Sequence, residues 1–370
     1  MNFDFTDDQK MLKETAAGFL KDHCPLDLCR AVLESDQPTS AELWKKTAEL
    51  GWQGTAIPEQ YGGAGFGRLE LAVMAEELGG ALAPIPFSSS VYLATEAILL
   101  AGSEQQKKHY LPKLASGESI GTFAFSERVG QNGLEHIETT LAADSISGMK
   151  LPVADGDIAD FAIVAARSDS GPSLALVDLG ASGVIRTSLE SFDPTRSMAK
   201  LELTDVPAEP LGEGGKGAEI ANCVFNRAAV LMAFEQVGSA SRALDLTRQY
   251  ALERYAFGRP IGSFQAVKHT LADRWCDIEI ARSNSYYGAW ALEHDNAELP
   301  VAACLARVAA SEAFDQMGID MIQLHGGVGF TWEFDCHMFY RRAKVLSTAL
   351  GNTASWKHKL VDRIAAQEAA

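Results

Sequence analysis

The sequence has no cysteine framework. Its six cysteines, Cys24, Cys29, Cys223, Cys276, Cys304 and Cys336, form no CxxC pair, which is the usage of reduced thiols in a cytosolic protein and argues against a disulfide-stapled secreted one. It has no apolar run long enough to span a bilayer. The opening MNFDFTDDQK is acidic and lacks the basic-then-apolar order of a secretory signal, so the expected location is cytoplasmic, with no membrane span. Basic residues are scarce: 32 Lys and Arg face 49 Asp and Glu, for a formal net charge of −17. Such a surface is a poor partner for nucleic acid. It would also repel a polyanionic ligand unless cations are gathered locally. No GxGxxG follows a predicted strand and no Walker loop occurs, so a nicotinamide site of the usual kind is unsupported. The GGAGFG run at 62–67 follows a helix and reads as a loop. Internal repeats and low-complexity tracts are absent.

What is present is 370 residues, 47% hydrophobic and 22% charged, enough for two or three domains. Thr6 is placed as an N-cap, Gln9 completes a capping box, and Leu12, Ala16, Phe19 and Leu20 share one helical face. Further helices are predicted near 41–50, 69–78, 91–100 and 104–114. From Gly121 to Thr204 the runs GTFAFSE, IETTLAA, DFAIVAAR, SLALVDL and KLELTD, separated by Gly, Asp, Ser and Pro, read as short strands. Long helices return over about 218–253, 265–293, 300–324 and 333–349. The order implies an α+β multidomain chain: an N-terminal helical domain (1–118), a middle β-barrel or sandwich domain (119–211) and a C-terminal four-helix bundle (212–370).

Two stretches of the C-terminal part carry chemistry. They are LERYAFGRPIGSFQAVKHTLAD (252–273) and QLHGGVGFTWEFDCHMFYRRAK (323–344). With the α–β–α order and the length, they resemble the acyl-CoA dehydrogenase family, whose signature there is R-x-x-F-G-x-x-I…F-Q and Q-x-x-G-G-x-G-(F/Y). The resemblance implies FAD held between subunits and an acyl-CoA thioester substrate. Arg254 would offer the pyrophosphate a planar, permanently charged fork. Phe257 would pack on the cofactor, and Gln265 and Gln323 would hydrogen-bond it. Gly326 and Gly327 would let backbone approach phosphate. Dimers or tetramers, of one chain or of two unlike chains, are the implied assemblies.

The same resemblance exposes gaps. The family reaction removes an α-proton with a carboxylate, whose pKa must be raised by burial, while the β-hydrogen leaves as hydride to the flavin. The Glu of the family's E-G-T run falls on Leu350, followed by Gly351 and Asn352. The alternative base, directly before a family Arg on the first long helix, falls on Asn226 before Arg227. Neither residue can take a proton at neutral pH. In the β domain FAFSER matches Y-x-x-T-E-P, so Ser126 stands for the flavin-bonding Thr. The W-I-T run, however, becomes Pro152-Val153-Ala154, losing an aromatic wall and a hydroxyl, and Ala256 replaces a Thr of the first motif. Contacts to the flavin ring and the α-carbon are thus depleted, while those reaching across an interface persist. This resembles the non-catalytic subunit of heteromeric, steroid-degrading members, where two unlike chains share one flavin site.

Three other readings remain open. A self-sufficient homo-oligomer could use a relocated base, either Glu333 or Asp335; Glu333 reads more readily as structural, and Asp335 more readily as a first-turn acid at a helix N-terminus. A different flavin chemistry on the same fold, an oxidase or a monooxygenase, is a second reading; a monooxygenase needs no α-proton base, so Leu350 would be harmless there. A structural assembly subunit would hold no flavin at all. His325, Cys336 and His337 are not expected to bind metal, because neighbouring residues on a helix diverge.

Overall fold

The structure, a computed structural model, describes residues 6–130, 134 and 136–368. Its first half is built from α1 (Asp7–His23), α2 (Leu26–Leu33), α3 (Ala41–Glu49), α4 (Arg68–Gly80), a π-helical segment Ser88–Thr95, α5 (Glu96–Ala101) and α6 (Glu104–Ala115). Eight strands follow: β1 (Gly121–Ala124), β2 (Thr140–Ala142), β3 (Ser145–Ala154), β4 (Phe161–Ser168), β5 (Gly171–Asp178), β6 (Val184–Leu189), β7 (Met198–Pro207) and β8 (Glu209–Leu211). The chain ends in α7 (Gly217–Glu253), α8 (Gln265–Glu293), α9 (Leu299–His325), α10 (Cys336–Thr348) and α11 (Thr353–Glu368). Backbone contacts divide it into two compact units. One comprises Met1–Ala31, Leu69–Ala83 and Ala229–Ala370; the other comprises Val32–Arg68 and Pro84–Ala228. Among the described residues no helix is long and apolar enough to cross a membrane.

In the first unit α1 starts as its sequence requires. The Thr6 hydroxyl accepts the Gln9 amide at 3.2 Å and the Gln9 side chain accepts the Thr6 amide at 3.0 Å, satisfying two of the donors a helix start leaves open. α4 and α7 cross with their backbones touching. A Cβ on Gly79 would sit 1.9 Å from the Glu235 carbonyl oxygen, and one on Gly238 would sit 1.8 Å from that of Glu76. The Ser239 hydroxyl seals the crossing by donating to the Gly79 carbonyl at 2.8 Å. α9 packs against α8, α10 and α11. Arg307 of α9, 1% exposed, donates to the Gln236 side-chain oxygen at 2.5 Å and to the Leu346 carbonyl, joining α7, α9 and the end of α10. Its burial lowers its pKa to about 10.

The second unit holds the sheet, in the order β6-β7-β3-β2-β4-β5-β8, with β1 pairing in parallel to β4. β7 alternates buried and half-buried residues over Met198–Leu203, the pattern of a strand with one face on the core. The first six residues of β4 are all buried. Ile146, Val153, Ala162, Val164, Ala175, Val177, Ala199 and Leu201 gather in one apolar core.

The helix–sheet–helix class matches the expectation, but the described part of the C-terminal region holds five helices where four were expected. α10 begins at Cys336, and α11 follows it after the Ala349–Leu350–Gly351 turn, in which Gly351 has φ +95°. The short α2, and the π-helical turns over the serines at 88–90, were likewise not foreseen.

Candidate functional site

The residues of the two C-terminal motifs lie in the first unit and on its surface. After α7 the chain makes a hairpin in which Tyr255–Ala256 pairs with Arg259–Pro260. Phe257 (φ +53°) and Gly258 (φ +78°) form its tip, the positive-φ pair that a tight two-residue hairpin requires. Phe257 is 94% exposed. Arg259 stacks on Phe264 at 4.1 Å, bracing the hairpin against the start of α8, where Gln265 is exposed. Arg254 and Gln323 are exposed too. Tyr250, one turn before Arg254, stacks on His325 at 4.2 Å, and its hydroxyl donates to the His325 carbonyl at 3.3 Å. The two motifs are therefore brought together at their bases. Burial lowers the His325 pKa against a bond to the Met321 carbonyl, so the ring is a neutral packing element here. Nothing lies within 4 Å of a Cβ built on Gly326 or Gly327. The turn Gly326–Phe330 that follows α9 thus offers open backbone, beside exposed Phe330 and Trp332.

That arrangement fits the phosphate-bearing part of FAD. A permanent cation, two amide side chains, an exposed ring and an uncovered glycine pair are each exposed in this unit, residue types suited to an anionic group.

The positions at which the sequence resemblance expects a base are differently built. Leu350 is 3% exposed, and its carbonyl accepts the indole N–H of Trp356 at 3.1 Å. Asn226 is buried on α7. Its neighbour Arg227 is committed to Glu96 at 3.2 Å, and Arg68 holds the other oxygen of that carboxylate at 3.1 Å. Asp335 is ion-paired with Arg30 at 2.6 Å. Neither Arg30 nor Glu96 was singled out from sequence; each is far from its partner along the chain, and no local pattern marks such pairs.

In the second unit Ser126 is buried, with its carbonyl accepting the Leu151 amide at 2.9 Å. Pro152 is exposed. Lys150, fully buried, donates to Glu127 at 2.8 Å. Burial pushes the Lys150 amine down to about 8 despite the Glu127 carboxylate. Burial also opposes charge on Glu127, but bonds from Lys150, Thr139 and the Glu138 and Thr139 amides carry its pKa down to about 2. Glu127 directly follows Ser126 in the segment after β1, so this pair ties that segment to β3.

A cavity of about 780 Å³ also opens in the first unit, where Lys13, Lys21 and Arg242 face Glu77, Asp27 and Asp245. No residue of the two motifs lines it, and it is not part of this site.

Residues 6–118 match the N-terminal domain of acyl-CoA dehydrogenases and residues 215–364 the C-terminal domain. The chain is 34% identical to the acyl-CoA dehydrogenase IpdE2 of Mycolicibacterium smegmatis, over 94% of this chain and 95% of that protein. Its fold superposes on the ChsE4-ChsE5 complex from Mycobacterium tuberculosis with a TM-score of 0.91 at 29% identity, covering 99% of each chain. The steroid ACAD Tcur3481-Tcur3483, solved as a point variant, aligns at a TM-score of 0.90 and 32% identity, covering 98% of this chain and 99% of that one.

Proposed function

The chain belongs to the acyl-CoA dehydrogenase family, and from that premise we propose that it is the base-lacking subunit of a heteromeric dehydrogenase, completing an FAD site whose carboxylate base comes from an unlike partner chain. The observation that carries this is the contrast between two sets of residues. Leu350 and Asn226, at the base positions, are buried and cannot accept a proton. Arg254, Phe257, Gln265, Gln323, Gly326 and Gly327 all face outward.

FAD, when bound, supplies the acceptor for the β-hydride. This chain's contribution is binding and positioning. Arg254 meets pyrophosphate charge, the glycine turn admits phosphate to backbone amides, and Gln265 and Gln323 orient the cofactor by hydrogen bonds. Phe257 packs against it and keeps water from its face. Ser126 is the one residue assigned to the ring. The substrate is a bulky, steroid-like acyl-CoA, a reading supported by the relative solved as a steroid ACAD. The site of action is the cytoplasm, which suits six unpaired thiols. Asp335 as a self-sufficient base is disfavoured by its ion pair with Arg30.

The test is the flavin content of the purified chain, alone and co-expressed with a Glu-bearing family member. Little flavin alone and near-stoichiometric flavin with the partner is the expected result. Near-stoichiometric FAD together with turnover in the isolated chain would sink the reading.

A further inference from the structure

The turn between the glycine pair and α10 has little secondary structure of its own. It nevertheless carries Phe330, Trp332 and Phe334, which are 85%, 47% and 38% exposed. It is held by a residue from the other end of the chain. One nitrogen of the Arg30 guanidinium, on α2, donates to the Trp332 carbonyl at 2.5 Å; the other donates to the Glu333 carbonyl at 3.4 Å and to the Asp335 carboxylate at 2.6 Å. His337 Nε2 lies 3.2 Å from the same Trp332 carbonyl, and the His337 ring stacks on the Trp332 indole at 4.5 Å and 12°. Asp335 immediately precedes α10, yet its side chain makes no cap bond to the helix; its carboxylate is turned to Arg30 instead. A planar fork of donors can meet two carbonyls and a carboxylate at once, which a lysine ammonium on a flexible stem does not reproduce.

We propose that Arg30 is a positioning residue for the FAD-phosphate edge of this subunit: with Asp335 it clamps the 332–335 turn, so that the aromatic side chains and the open backbone at Gly326–Gly327 are set before the cofactor arrives. The inference rests on the partner-subunit reading above. It also assigns Asp335 a role, as the counter-charge of the clamp, that differs from proton abstraction. A loose turn would pay the ordering entropy on binding, so the clamp acts on cofactor affinity and leaves the chemical step alone.

The experiment uses the co-expressed heteromer, stripped of flavin and titrated with FAD. Arg30→Met is expected to raise the apparent Kd for FAD about tenfold, or ~1.4 kcal/mol. Asp335→Asn should raise it less, since the two carbonyl bonds remain, and Arg30→Lys should fall between Arg30→Met and wild type. The double variant should be no worse than Arg30→Met, because one interaction cannot be lost twice. At saturating FAD, kcat should stay within about twofold of wild type in every variant. A wild-type heteromer without flavin removes the partner-subunit reading and the clamp with it. A flavin-bearing wild type whose Arg30→Met variant binds FAD equally tightly removes the clamp alone. Loss of turnover in Asp335→Asn at unchanged FAD affinity, with Arg30→Met still active, would make Asp335 the base and overturn the proposal. Failure of Arg30→Met to assemble would overturn it as well, by showing that the pair serves the assembly and not the cofactor.

Discussion

Single residues separate what this subunit would give to a shared site from what it needs for itself. Gly327 makes no close approach within its own chain, since a Cβ there meets nothing within 4 Å, and its φ is not in the left-handed region. Gly327→Ala should therefore leave the melting temperature of the isolated chain nearly unchanged while lowering FAD occupancy of the heteromer. Calorimetry and the visible flavin band measure the two separately, and a fall in both together would mean that the glycine serves the fold. Glu127 illustrates the opposite case, a charge the chain needs internally. Its folded pKa, about 2, lies below the ordinary 4.5, so the unfolded state binds the extra proton between those values. The stability it contributes is fully present above the ordinary carboxylate pKa and is lost as pH falls through that window toward 2. Acid unfolding of Glu127→Gln should accordingly show a shallower loss of stability below pH 4.5 than wild type. Lys150 acts in the same direction at the alkaline end. Its folded pKa of about 8 lies below the ordinary 10.5, so its share of stability rises with pH between them.

At the scale of elements, the crossing of α4 and α7 has the least tolerance. Two glycines bring backbone onto backbone there, and Gly238→Ala would drive a methyl to 1.8 Å from the Glu76 carbonyl oxygen. The helices must part, at a cost of about 1–3 kcal/mol or more for overpacking. Urea unfolding should show a lowered midpoint at unchanged slope; a midpoint equal to wild type would mean that the crossing opens freely. The elements that could be read beforehand were those with a strong period or a cap. α1 declared itself through Thr6 and Gln9, and β7 through alternation. α11 did not, because a turn at Leu350–Gly351 interrupts the pattern and its exposed face carries Val361 and Ile364. The serines at 88–90 have low intrinsic helix propensity, but all three are buried, and burial leaves the backbone to satisfy its hydrogen bonds internally.

At the scale of the whole molecule, the proposed role makes flavin binding a property of two chains. Ligand that binds only the folded assembly raises its apparent stability by mass action. The heteromer should therefore melt at rising temperature as FAD is added, while the isolated chain should show little response. Equal shifts for both would mean that this chain holds FAD unaided. The acidic surface, with net charge −17, gives Arg254 added weight as a local cation for an anionic cofactor.

The order of elements and the family motifs were legible in the sequence, because each depends on residue type at short range: a period, a cap, a glycine pair. Tertiary structure alone decided which of these residues turn outward and what holds them. The Arg30 clamp on the 332–335 turn, the Glu96 carboxylate between Arg68 and Arg227, and the Tyr250–His325 stack join residues 28 to 305 positions apart. Contacts at such separation leave no periodic trace in a sequence, since they are set by packing whole elements together.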